Sequence, residues 1–294
     1  MDSQAIHRPR NLDWKRAAAL LYGDWGTSKA YVIGLAFAAA GHASLPIIGA
    51  VCVLTALVGY NYILVCRHFP DGGGVYSAAR DQSRLLAVIG ALLLVANFLV
   101  TAALSCNSAM HYFGISKGHV AAATVLVILS IGGINFFGPK HTGSLAVGLM
   151  IPMVVVVVVL VVLSLPRLNT AHLEPPSGGL ARNWQFFVAT ILALSGVEAI
   201  ANLTGVMKLD PGATMDKPCV FRTARKAILP VAAEVVLGTA LLGWAMLSLS
   251  GAHAPDPVAH RDYMMRFLGQ EYGTLMFNAA VGKAIGAVVG LVVG

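Results

Sequence analysis

The chain has 294 residues, of which 57% are hydrophobic and only 11% are charged, with a mean hydropathy of +0.75. Soluble domains carry about 25% charged residues, so this composition excludes an ordinary soluble protein and predicts an all-α polytopic membrane protein. The long continuous apolar runs exclude the alternating pattern of a membrane β-barrel. The net charge of +7 does not indicate nucleic-acid binding, because the basic residues lie in short loops between apolar segments.

Eight apolar segments each approach the roughly 20 residues that a bilayer-crossing helix needs. Their predicted limits are 20–41, 44–66, 85–111, 120–138, 144–165, 184–206, 227–250 and 273–294. Residues 1–19 then form an N-terminal segment and residues 20–294 the transmembrane domain. Since the eighth segment reaches the last residue without a polar tail, we expect the protein to be truncated after its eighth helix.

Lysine and arginine are concentrated in the N-terminal segment and in every second loop after it. The positive-inside rule therefore predicts a multi-pass protein of the cell membrane (inner or plasma membrane), with a cytoplasmic N-terminus. Four cysteines show no metal-ligand spacing and are expected to be free thiols: Cys52, Cys66, Cys106 and Cys219.

The first span contains the polar stretch Gly23–Gly34. Asp24, Thr27, Ser28 and Tyr31 share one face if this stretch is helical. Irregular backbone at membrane depth survives only where it is buried or lines a watery cavity, so a broken helix beside a binding site is one interpretation. The alternative is that Asp24 is an N-cap before a span that begins near Ala30. Three glycines loosen the segment: Gly23, Gly26 and Gly34.

The sixth span repeats this pattern. Ser195, Glu198 and Asn202 share a helical face, bracketed by Gly196 and Gly205. Spans one and six occupy corresponding positions in a five-plus-five inverted repeat, which predicts a substrate site between them. The alternative for Glu198 is a hydrogen-bonding role within the helix bundle, without a role in transport.

Polar residues on the third span have near-helical spacing and could face the same site: Asn97, Thr101, Ser105 and Ser108. Such side chains often bond only their own backbone or a neighbouring helix. Two charged residues in other spans suggest ion pairs. We expect Glu234 to pair with the basic cluster Arg222, Arg225 and Lys226, and Lys29 to pair with Asp24 or Glu198 or to reach a helix end.

The stretch Phe69–Tyr76 follows the second span and contains three consecutive glycines. It predicts a tight loop that leads into a short amphipathic segment, Tyr76–Arg84. A phosphate-binding loop is disfavoured, because no Gly-Lys-Ser/Thr follows the glycines.

Together, three stretches resemble the amino acid–polyamine–organocation (APC) permease superfamily over nearly the whole chain: Gly23–Ser28, Phe69–Tyr76, and Ser195–Ile200 followed by Lys208. The resemblance implies a five-plus-five inverted-repeat fold like that of the leucine transporter. The branch of proton-coupled potassium importers looks most similar. It implies an ion-site carboxylate at Asp24, a tyrosine at Tyr31, a threonine at Thr101, and a hydroxyl–acid pair at Ser195 and Glu198.

The chain departs from that branch in two respects. Asn97 stands where the branch has an aspartate, and an amide oxygen binds a cation less strongly than a carboxylate does. The superfamily core also has ten helices, whereas this chain supplies about eight. Because of Asn97 we favour an amino acid over potassium as the substrate.

These features predict a secondary active transporter that couples amino acid uptake to protons at a midplane site formed by broken spans one and six. Asp24 or Glu198 would carry the proton, so the proton gradient is the driving force and neither a cofactor, a metal nor an enzymatic activity is expected. The candidate binding residues are Asp24, Gly26, Thr27, Ser28, Tyr31, Asn97, Thr101, Ser195, Gly196, Glu198 and Asn202.

Two other functions remain open: a proton-coupled potassium importer and a truncated membrane protein that does not transport. The expected partners are a small molecule (an amino acid or a monovalent cation) and membrane lipid, without nucleic acid. A homodimer remains open as the assembly.

Overall fold

A computed structural model of the chain describes residues 9–136, 139–191, 196–249 and 257–294. These ranges contain helices and no strand, apart from one isolated bridge between Leu12 and Met207. The α-helices are α1 (Trp14–Asp24), α2 (Lys29–Ala40), α3 (Ser44–His68), α4 (Gly74–Arg80), α5 (Arg84–Tyr112), α6 (Val120–Asn135), α7 (Pro139–Ser164), α8 (Gly179–Ile191), α9 (Ala199–Leu203), α10 (Phe221–Ser248), α11 (Met264–Met276) and α12 (Ala279–Val293).

Four helical stretches are long and apolar enough to cross a membrane: Trp14–His68, Arg84–Tyr112, Thr142–Arg167 and Phe221–Ser248. The first of them turns at Gly41–Ala43 and so supplies two predicted spans, while α6 and α12 are shorter apolar helices. Large apolar side chains are exposed along α5 and α7, as expected for helices that face lipid: Leu85, Leu92, Leu93, Leu99, Leu149 and Val158. The prediction of an all-α polytopic membrane protein is confirmed.

The core forms where α1 packs between α7 and α10, and α10 also packs along α3. Trp25, which follows α1 directly, is completely buried in this core. The polar segment after α1 is therefore enclosed by protein rather than by lipid. Polar backbone at membrane depth requires such enclosure.

Both glycine-interrupted spans are broken helices, as predicted. α1 ends at Asp24, a 3-10 turn occupies Gly26–Ser28, and α2 begins at Lys29. The N-cap of α1 is Asp13, whose carboxylate accepts hydrogen bonds from two backbone amides. Asp24 is the last residue of α1 and the N-cap position of α2 is Ser28, so the alternative interpretation of Asp24 as an N-cap before a later span is wrong. In the other broken span, Gly196 between α8 and α9 has φ +115°, a conformation that favours glycine.

The predicted single span at 273–294 is wrong, because α11 ends at Met276 and α12 begins at Ala279. The Asn278 side chain accepts a hydrogen bond from the Val281 amide at 3.0 Å and caps α12. The two helices form an antiparallel hairpin, in which a Cβ on Gly273 would lie 2.9 Å from Gly282 Cα. A single polar cap residue divides this apolar run, and average hydropathy does not detect it.

The three-glycine loop after α3 leads into the short helix α4, as predicted, and packs against α9 and the turn that follows α9. A Cβ on Gly74 would lie 2.7 Å from Ala201 Cβ, and a Cβ on Gly205 would lie 2.5 Å from the Asp71 carbonyl oxygen. The glycines therefore serve a close backbone contact between this loop and the second broken helix.

Arg10 joins the same two elements to the N-terminal segment. Its guanidinium donates to the carbonyls of Pro70 (3.1 Å) and Thr204 (3.0 Å) and to the Asp71 carboxylate (2.6 Å). Two backbone hydrogen bonds support this arrangement, from Leu12 N to Val206 O and from Lys208 N to Leu12 O. The N-terminal segment is therefore fixed to the end of the second broken helix.

We expect Gly205→Ala to destabilise the protein by about 1–3 kcal/mol, because the added methyl group meets a backbone oxygen that has no rotamer to move to. Thermal unfolding in detergent measures the effect. Gly49→Ala is the matched control, since a Cβ there has no heavy atom within 4 Å and alanine favours a helix. Equal melting temperatures of the two variants would contradict the proposed close contact.

Candidate functional site

The two helix breaks meet at Asp24 and Gly196. A Cβ on Gly196 would lie 2.7 Å from both Asp24 Cγ and the Trp25 backbone nitrogen. Only glycine permits this approach together with φ +115°. Asp24 Oδ1 is buried and has no hydrogen-bond partner among the described residues. Among the residues that the structure describes, the contact between the breaks therefore leaves a buried acceptor without a donor.

A second carboxylate, that of Glu198, lies at the same junction. Glu198 Oε2 accepts from the Gly196 amide at 3.0 Å, and Oε1 accepts from Asn97 Nδ2 of α5 at 2.6 Å. Both acids lie against Gly196, since its amide donates to Glu198 and a Cβ on it would lie 2.7 Å from Asp24 Cγ. Residues from α1, α5 and the turn before α9 thus meet at this junction.

The hydroxyl groups of the first break bond to its own backbone. Thr27 Oγ1 donates to the Gly23 carbonyl at 3.0 Å, and Ser28 Oγ donates to the Trp25 carbonyl at 2.7 Å. Gly26 packs so closely on the Tyr22 ring that a Cβ would overlap it. These residues shape the break and satisfy carbonyls that a regular helix would otherwise pair.

A cavity of about 470 Å³ adjoins the first break, and neither Asp24 nor Glu198 is part of its lining. Hydroxyl-bearing side chains in its lining are Tyr22, Thr27, Tyr31, Ser105, Ser108 and Tyr112. Tyr31 is hydrogen-bonded to Ser105. Apolar residues of α5, α6, α7 and α12 form most of the remaining lining. Its volume falls within the about 300–1,000 Å³ that is usual for small-molecule sites.

The other candidate residues lie in different places. Thr101 is buried on α5, one turn after Asn97. Asn202 packs against the glycine loop. Its carbonyl oxygen would lie 3.4 Å from a Cβ on Gly72, and its Oδ1 would lie 3.4 Å from a Cβ on Gly74. Ser195 lies outside the described residues. Thr101 therefore stays near the junction of the breaks, whereas Asn202 contacts the loop.

The expected ion pairs of the spans are wrong. Lys29 Nζ pairs with Glu234 Oε2 of α10 at 2.9 Å, and Lys29 is completely buried. Lys29 and Glu234 are separated by 205 positions in the chain and meet because α1 and α2 pack on α10. One signal was available: both are charged residues of opposite sign inside apolar spans.

The charge of the junction is complementary to a cationic group. Two carboxylates, one with a buried oxygen that has no partner among the described residues, match an ammonium, which carries three N–H donors. The described residues contain no group of three His, Cys, Asp or Glu side chains that could hold a metal ion.

We expect Gly196→Ala to lower substrate uptake about tenfold, because a left-handed conformation costs an alanine about 1–2 kcal/mol and its methyl displaces Asp24. Uptake into proteoliposomes from a mixture of labelled amino acids measures the loss. Gly90→Ala on α5, where a Cβ has no neighbour within 4 Å, should transport normally. Full activity of Gly196→Ala would show that the contact between the breaks is dispensable.

The comparisons with known proteins add a family match. The model of the amino acid permease family matches residues 12–293, which is almost the entire chain and includes both breaks. This family consists of membrane transporters rather than enzymes. A search of curated proteins finds no significant match.

Proposed function

The chain belongs to the amino acid permease family, and we propose that it takes up an amino acid together with protons. The observation that supports this proposal most directly is the buried, open Asp24 oxygen beside Gly196 and Glu198. An isolated carboxylate is costly to bury, so such a group requires a proton or a cationic ligand. The ammonium of an amino acid is the ligand of matching charge.

The breaks offer complementary groups to both charges of a zwitterion. Backbone amides at a helix N-terminus attract a carboxylate, and carbonyls at a helix C-terminus attract an ammonium. The end of α1 supplies carbonyls beside Asp24, and the start of α9 follows Glu198. The apolar cavity near Thr27 and Tyr31 would receive the substrate side chain, which favours an apolar amino acid.

The charges of the site suggest how protons are coupled. Asp24 and Glu198 together carry two negative charges, and Asn97 contributes an uncharged donor. Lys29 is paired with Glu234 and so does not neutralise them. The ammonium of the substrate compensates one negative charge, and one proton on either acid compensates the other. We therefore propose one proton for each amino acid.

In this proposal the site alternates between the two sides of the cell membrane, with the N-terminus in the cytoplasm. The bundle of α1, α2, α3, α8, α9 and α10 would rock against the other helices, as in inverted-repeat transporters. The packing of α10 against both α1 and α3 supports their movement as one unit.

The decisive experiment measures internal acidification when amino acids are added to proteoliposomes. Wild-type protein should acidify the lumen in the presence of at least one apolar amino acid. Glu198→Gln keeps the size of the side chain but removes an ionisable group, so it should lower this proton-coupled uptake about 100-fold, in the range that a positioned proton-transfer group contributes. Lys283→Ala, which removes an exposed lysine of α12, is the control and should behave as wild type. An amino acid response that is unchanged by Glu198→Gln would refute the assigned coupling site.

Asn97→Asp tests the choice of substrate, because it adds a third carboxylate next to Glu198. For an amino acid transporter we expect slower uptake and a higher ratio of protons to amino acid, both measured in the same liposomes. Rubidium serves as the potassium analogue in a parallel assay. If rubidium is taken up by the wild type and bound more tightly by Asn97→Asp, the potassium importer is the correct function and the amino acid proposal is wrong.

A further inference from the structure

The first break encloses a buried cation that the binding site does not use. Lys29, the first residue of α2, has no exposed surface. Its ammonium donates to the Gly26 carbonyl within the break and to Glu234 Oε2 of α10. It also lies 5.0 Å from the centre of the Tyr22 ring on α1. One amino group thus contacts the helix before the break, the break itself and α10.

The surroundings of this ammonium fit it closely. The Tyr22 hydroxyl donates to Glu234 Oε1 at 3.1 Å, which fixes the carboxylate that faces Lys29. Gly238 leaves room for the lysine chain, because a Cβ there would lie 3.2 Å from Lys29 Cε. The ammonium is held by a carbonyl and a carboxylate, and the phenol oxygen adjoins them. Such oxygen atoms are the ligands that hold small cations in proteins.

Stability alone does not account for this pair. A buried ion pair loses the solvation of both charges, so an apolar pair of similar volume is often as stable or more stable. The pair does provide a cation at the C-terminal end of a half-helix, where unpaired carbonyls concentrate negative potential. The chain therefore supplies from its own side chain a charge that such breaks otherwise take from solution.

We propose that Lys29 is a resident cation that holds the first break in its binding-competent shape and thereby positions Asp24. Lys29 and Glu234 are positioning residues, since neither lies at the junction of the two breaks. The proposal rests on the transport function proposed above. It adds that transport requires a cation at the position of the Lys29 ammonium. The lysine backbone and the packing of its side chain are not sufficient.

Lys29→Ala tests this, because it removes the ammonium and leaves the Gly26, Glu234 and Tyr22 oxygens around a vacated space. We expect uptake to fall at least about tenfold, as when groups at a site are misplaced. Propylammonium, which replaces the lost atoms, should restore uptake and raise the melting temperature of this variant in detergent, in proportion to its concentration. Tetramethylammonium has the same charge but no N–H donors, so it should do neither.

Matched controls separate a cation site from general effects of amines. Lys283→Ala lacks an exposed lysine and should show neither loss of uptake nor a response to propylammonium. The double variant Lys29→Met/Glu234→Met replaces the ion pair by apolar side chains of similar length. It should keep or raise the melting temperature yet fail to transport, which a purely structural pair would not predict.

Each outcome of these experiments supports or refutes the resident-cation proposal. If propylammonium changes neither the uptake nor the melting temperature of Lys29→Ala, or if the double methionine variant transports normally, the resident-cation proposal is wrong. If Lys29→Ala does not fold, the double methionine variant alone tests the proposal, which is wrong if that variant transports normally. If the wild type transports no amino acid, the proposed function fails, while the melting temperature of Lys29→Ala with propylammonium still tests the cation site.

Discussion

The whole site depends on one constraint: backbone amides and carbonyls inside a membrane protein need hydrogen-bond partners, and two helices here are interrupted. The first break meets the constraint with its own side chains, because Thr27, Ser28 and Lys29 donate to the carbonyls of three preceding residues. At the second break the Glu198 carboxylate accepts from the Gly196 amide. Since these partners replace the helical bonds locally, the breaks persist as defined structures and bring Asp24 to the junction.

The four charged side chains of this region form two groups with different roles. Lys29 and Glu234 are paired, so their charges cancel and the pair joins α2 to α10. Asp24 and Glu198 are both acids and meet at Gly196. In the proposed mechanism a proton or a cationic substrate relieves the repulsion between them. The first break lies between the two groups.

The sequence predicted the features that depend on local pattern. Hydropathy located most spans, and glycine next to intramembrane acids located both breaks, because these signals reside in consecutive residues. Features that depend on packing were missed. The partner of Lys29 lies 205 positions away, and Asn202 contacts the glycine loop although its helical spacing matches that of Glu198. The N-cap residue Asn278 separates α11 from α12, although the average hydropathy of this apolar run predicted a single span. Helical periodicity predicts which residues share a face of a helix, but it does not predict which part of the protein that face packs against.

The contacts of Arg10 have a mechanical consequence. The Arg10 guanidinium, which belongs to the N-terminal segment, donates two hydrogen bonds to the loop after α3 and one to the turn after α9. Because one side chain joins the three elements, a movement of any one of them away from Arg10 breaks at least one of these hydrogen bonds, and the positions of the three elements are therefore coupled.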